Sequence, residues 1–127
     1  MIAFRQQIVV VALAFAASAG ANAQTMPSAV KSTSGMFTNS AGMTLYTFDK
    51  DTSGKSACNG PCATNWPPLM ADGSAKPAGD WTIVTRDDGG KQWAYKGRPV
   101  YTWTKDSKPG DTTGDGFANN AWHVAKP

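Results

Sequence analysis

Gly42-Met-Thr-Leu-Tyr46-Thr-Phe48-Asp-Lys-Asp51 and Gly97-Arg-Pro-Val-Tyr101-Thr-Trp103-Thr-Lys-Asp106 are one pattern written twice. Laid over each other from the glycine, Leu45 falls on Val100, Tyr46 on Tyr101, Phe48 on Trp103 and Asp51 on Asp106. A pattern recurring after about 55 residues marks one supersecondary unit used twice. The match extends outward more weakly. Val30 and Val84 precede the two motifs at similar distances, and Trp66 and Trp122 follow them. The two units are expected to run over about 30–80 and 81–127.

Both motif segments are rich in β-branched and aromatic residues, which favour strands. In the first, Thr44, Tyr46 and Phe48 share one face of the strand while Leu45 and Thr47 share the other. Met36 to Thr38, a turn at Asn39 to Gly42 and the motif strand read as a hairpin. In the second half, Thr82 to Thr85, a turn at Asp87 to Gly90, Gln92 to Tyr95, a turn at Lys96-Gly97 and Val100 to Trp103 read as a meander. All nine acidic residues are Asp, with 13 Gly and 8 Pro, a composition that supports turns and excludes long helices. The expected fold is all-β, a small single domain of two pseudo-symmetric β-meander repeats. Long ordered loops follow each motif, over Asp49 to Pro68 and Asp106 to Asn120.

The first 23 residues have the form of a secretory leader: Arg5 in a short polar start, an apolar run from Ile8 to Ala17, and a small-x-small site at Ala21-Asn22-Ala23. The run is too short for the ~20 residues of a spanning helix, so no transmembrane anchor is expected. Processing there leaves a soluble periplasmic or secreted domain over 24–127, with Gln24 to Ser34 starting as a polar arm. A domain of that size supports one modest core that the repeats must share. The formal charge of +3 falls by one when Arg5 leaves with the leader, which gives no ground for a nucleic-acid partner.

The chemistry-bearing residues are few. Cys58 and Cys62 are the two cysteines, separated by the turn sequence Asn-Gly-Pro and exported to an oxidising compartment. A disulfide bracing the first loop is the expectation, contributing roughly 2 kcal/mol through unfolded-state entropy. The competing reading is a periplasmic copper or redox site, with Cys58, Cys62 and His123, or one of Met36, Met43 and Met70, as soft ligands. The spacing is wrong for a thioredoxin-type dithiol. His123 is the single histidine, so hydrolytic triads and multi-histidine zinc sites lack material, and no enzyme and no cofactor are expected. Asp49, Asp51, Ser53 and Gly54 resemble the start of a calcium loop, but Gly60 stands where the bidentate acid belongs. Asp51 and Asp106 are therefore expected to cap the turns that end each motif strand. Tyr46, Phe48, Tyr101 and Trp103 either build the shared core or form a platform for a flat ligand, and core packing is the preferred reading. Trp66-Pro-Pro-Leu69 is expected to cover an open end of the sheet.

Tyr46-x-Phe48-x-x-Asp51 and Tyr101-x-Trp103-x-x-Asp106 fit the pattern Y-x-[FWY]-x-x-D, and here the chain resembles a bacterial family of secreted repeats of unknown function. Its members are described as predicted periplasmic lipoproteins. The cysteine loop running into Trp66-Pro-Pro-Leu69, and Pro109-Gly-Asp111 with Gly114-Asp-Gly116 before Trp122, extend the likeness over nearly all of 24–127. The leader has no lipobox cysteine, which departs from the lipoprotein description. The resemblance implies an extracytoplasmic location and two repeats, and no activity. A non-enzymatic envelope or ligand-binding module follows, whose partner is an unknown small ligand, glycan or envelope protein.

Overall fold

The computed structural model describes residues 25–127, so the leader read over 1–23 lies outside the described residues. β1 (Val30–Thr33) and β2 (Met36–Asn39) form an antiparallel hairpin with Val30 opposite Asn39 and Thr33 opposite Met36. Its two-residue turn, Ser34-Gly35, has positive φ at both positions (52° and 79°), the turn whose twist matches that of the strands it joins. β3 (Tyr46–Phe48) follows. The loop after it contains a five-residue helix, α1 (Pro61–Asn65), opened by a proline at its first turn.

In the second half β4 (Trp81–Thr85), β5 (Lys91–Tyr95) and β6 (Arg98–Pro99) form a meander in that order, its third strand lying just before the expected Val100 to Trp103. The turn between β5 and β6 is Lys96-Gly97, again with two positive φ values. A short helical turn, α2 (Phe117–Asn120), precedes β7 (Trp122–Val124). Ala118, Asn119 and Asn120 all have φ near 60° (57°, 58° and 67°), so this turn winds left-handed.

The fold is all-β, as the composition indicates, and its halves exchange strands. β3 of the first half pairs with β7 of the second, Phe48 opposite Trp122. In return the second motif lies along the Trp66-Pro-Pro segment, with Thr102 N–H donating to Pro67 C=O at 2.8 Å and Thr104 N–H to Asn65 C=O at 3.1 Å. That segment therefore runs beside the second motif instead of covering an open sheet end, with Trp66 3% exposed and Pro67, Pro68 and Leu69 half-buried. The strand expected over Val100 to Trp103 is reduced to isolated bridges to Tyr46 and Pro68. The reason is local: Pro67 and Pro68 have no N–H to give to a continuous ladder. The two motifs meet at Tyr46 and Tyr101, which exchange backbone hydrogen bonds of 2.8 and 2.9 Å.

Two triangles of backbone bonds close the ends. Phe37 N–H donates to Ala125, Ala125 to Leu45 and Leu45 to Phe37 at 2.8–3.0 Å, while Trp93 donates to Leu69, Leu69 to Val100 and Val100 to Trp93 at 2.9–3.1 Å. This correspondence sets Phe37 on Trp93, so Val30 matches Trp81 through the strand register. The Val30–Val84 match suggested by spacing is off by three residues, because the turn after β4 is longer than the turn after β1.

Alternation along each motif strand feeds two hydrophobic clusters instead of one. Leu45 and Val100 point into a cluster with Phe37, Trp81, Trp93 and Tyr95. Tyr46 and Tyr101 point into the other, with Cys58, Trp66, Trp103 and Trp122. Each cluster draws on both repeats, so neither half has a core of its own.

Candidate functional site

The motif residues build a reciprocal clasp. Tyr46 Oη donates to Asp106 Oδ2 at 2.7 Å, and Tyr101 Oη donates to Asp51 Oδ2 at 2.6 Å. The tyrosine of each repeat thus holds the aspartate of the other. The second oxygen of each aspartate holds its own loop: Asp51 Oδ1 accepts from Ala57 N–H at 2.7 Å, and Asp106 Oδ1 accepts from Thr113 N–H at 3.0 Å and Thr113 Oγ1 at 2.6 Å. The aspartate side chains therefore reach past the turns they were expected to cap, to amides six and seven residues on. They tie both long loops to the opposite repeat.

Both phenols are fully buried. Burial, reinforced by the hydrogen bond to the carboxylate, pushes the acidity of each well above the ordinary tyrosine range. Burial likewise raises Asp51 above the usual carboxylate range, against the opposing pull of the Tyr101 hydroxyl, the Ala57 amide and Arg86.

Between the phenols runs a column of four rings. Phe48 stacks on Trp122 at 4.2 Å between centroids, Trp122 on Trp66 at 3.7 Å and Trp66 on Trp103 at 3.9 Å. The central indoles are parallel to within 2°. Tyr46 stands edge-on to Trp66 at 5.3 Å and Tyr101 edge-on to Trp122 at 5.1 Å. Gly114 lies against the rims of Trp66 and Trp103, where a Cβ would meet Trp66 Cη2 at 2.6 Å. Of the motif rings, Tyr46, Tyr101 and Trp103 are buried and Phe48 is half-buried against Trp122, so they serve the core.

Sequence reasoning passed over Arg86. It is 4% exposed and donates to Ser56 Oγ (3.0 Å), Gln92 Oε1 (2.8 Å), Cys58 C=O (2.6 Å) and Asn59 Oδ1 (3.3 Å). Ser56 in turn shares a hydrogen bond with the Tyr101 hydroxyl, which links the guanidinium to the clasp. The signal was the strand alternation: Arg86 is two residues beyond the buried Val84 and takes the same inward face.

Cys58 and Cys62 are joined as a disulfide, Cα atoms 5.2 Å apart, at the start of α1. His123 lies on β7 at the surface, its Nε2 2.9 Å from Asp49 Oδ2 and remote in sequence from the cysteines. Among the described residues no group of three or more His, Cys, Asp or Glu is placed to hold a metal ion.

A groove of about 360 Å³ lies beside the β5–β6 turn, lined by Thr47, Tyr95, Lys96, Arg98, His123 and Lys126 among others. Lys96 and Arg98 also line an adjoining hollow of about 250 Å³ with Phe48, Asp49, Thr52 and Ser53. Among the described residues Lys96, Arg98 and Lys126 form no salt bridge. Lys96 holds φ of 50° at a turn position where Asn or Gly is the ordinary occupant.

Residues 28–70 and 82–126 match the model of a family described as a secreted repeat of unknown function. Neither a curated protein nor a solved structure matches the chain. No helix among the described residues is long and apolar enough to cross a membrane.

Proposed function

This chain belongs to the family of secreted repeats of unknown function, and from that premise we propose that it is a non-enzymatic extracytoplasmic binding module whose recognition face is the basic groove. The clasp, the ring column and the disulfide make a rigid scaffold. Such a scaffold presents surface loops at low entropic cost, and preorganisation of this kind favours binding.

The observation that carries the reading is the convergence on one concave surface of Lys96, Arg98 and Lys126, none of them in a salt bridge among the described residues, beside His123, which pairs with Asp49. Unpaired cations around a groove attract anionic groups, whether the carboxylates of a small ligand, of a glycan or of an envelope protein. The copper reading needs free thiolates, and here both sulfurs are bonded to each other.

The test is a titration of the isotope-labelled protein with citrate, followed amide by amide by NMR. Shifts that gather on Thr47, Lys96, Arg98, His123 and Lys126, and vanish in Lys96→Ala/Arg98→Ala, support the groove. Shifts spread over the whole surface, or unchanged in that variant, refute it.

A further inference from the structure

The ring column has an order that filling a core does not demand. Aromatic pairs in cores pack as well edge-to-face as stacked, yet Trp103, Trp66 and Trp122 lie face to face at 3.9 and 3.7 Å. Indoles in such contact share an electron hole through overlapping π-systems. Each central indole also stands perpendicular to a phenol ring, Trp66 to Tyr46 and Trp122 to Tyr101.

A phenol loses an electron readily only when its proton departs as well, because the oxidised phenol is a strong acid. Acceptors are already hydrogen-bonded in place: Asp106 Oδ2 at 2.7 Å from Tyr46 and Asp51 Oδ2 at 2.6 Å from Tyr101. In each aspartate the other oxygen keeps its hold on the loop backbone, so protonating Oδ2 leaves that brace standing. Trp103, 7% exposed, and the half-buried Phe48 bring the two ends of the column close to solvent.

We propose that the Tyr–Trp column is a one-electron relay, a redox activity separate from the groove. A small radical oxidant of the medium takes one electron from the stacked indoles. Tyr46 or Tyr101 then refills the indole with one electron and passes its phenolic proton to Asp106 or Asp51. The net change is phenol, carboxylate and oxidant becoming neutral phenoxyl, carboxylic acid and oxidant reduced by one electron.

Pulse radiolysis of the intact protein with the azide radical, which oxidises indole, tests this. Indolyl absorption should decay as phenoxyl absorption rises, at a rate independent of protein concentration. Tyr46→Phe/Tyr101→Phe should lose the phenoxyl, while Tyr95→Phe, which removes the third tyrosine, should keep it. If the double variant fails to fold, as read by near-ultraviolet circular dichroism of the indole stack, the two single variants decide: each should lower the phenoxyl yield. Asp106→Asn and Asp51→Asn should slow its formation. A phenoxyl yield unchanged in the Tyr46 and Tyr101 variants, lost in Tyr95→Phe, or formed at a rate proportional to protein concentration overturns the relay.

Discussion

Tyr46 and Asp106 are 60 residues apart in the chain and 2.7 Å apart in the fold, and Tyr101 and Asp51 repeat that bond in the opposite direction. The motif is therefore a connector between repeats. Its tyrosine and aspartate meet their counterparts across the molecule, which is why neither half completes a core by itself.

Removing a phenolic hydroxyl leaves a buried carboxylate oxygen without its donor, a loss worth about 1–3 kcal/mol. Tyr46→Phe and Tyr101→Phe should each lower stability by that amount while keeping the fold. Urea denaturation measures it; a change indistinguishable from zero in both variants would show that the clasp contributes nothing net.

Alkali should unfold the protein. Burial and the carboxylate bond raise both phenols in the folded state, so above the ordinary tyrosine pKa the folded state keeps protons that the unfolded state has lost. Stability is then fully present below about pH 10 and falls as pH rises, by ~1.4 kcal/mol per unit for each tyrosine. Urea midpoints taken from pH 8 to 11 should trace this decline, and Tyr46→Phe/Tyr101→Phe should flatten it; an equally steep decline in that variant would assign the alkaline loss to other groups.

Gly114→Ala forces a methyl to within 2.6 Å of Trp66 Cη2 and 3.1 Å of Trp103 Cδ1. The stack must shift or the loop must lift, at a cost of about 1–3 kcal/mol typical of overpacking. Weaker exciton coupling between the indoles in circular dichroism should accompany the loss. Unchanged coupling and stability would mean that the loop moves away freely.

Ala118 carries a left-handed backbone at φ 57° and ψ 56°. Glycine adopts that conformation without the Cβ penalty, so Ala118→Gly should raise stability by about 0.5–1 kcal/mol despite the entropy glycine adds to the unfolded chain. A lower melting temperature would contradict this.

The connector over 72–80 is mostly exposed and joins two halves that exchange strands. A protease site inserted between Ser74 and Lys76 should, once cut, leave both pieces associated on a native gel, held by β3–β7 pairing and the clasp. Separation of the pieces without denaturant would argue that the interface is weaker than its burial indicates.

Much of this was legible in residue order. The duplicated motif, the β character and the Cys58–Cys62 brace all follow from local information: strand propensity, period-two alternation and a short cysteine spacing. Local information also placed Lys96-Gly97 and the β4–β5 turn. Which repeat each side chain serves is a different kind of fact. Nothing in the spelling of Tyr46-x-Phe48-x-x-Asp51 distinguishes an aspartate that caps its own turn from one that receives a hydroxyl from the other repeat, because both satisfy the same lone pairs. The burial of Trp66, the inward charge of Arg86, the second hydrophobic cluster and the gathering of Lys96, Arg98 and Lys126 around one groove were decided by tertiary structure alone. They arise from long-range pairing, and long-range pairing is selected by the packing of the whole chain.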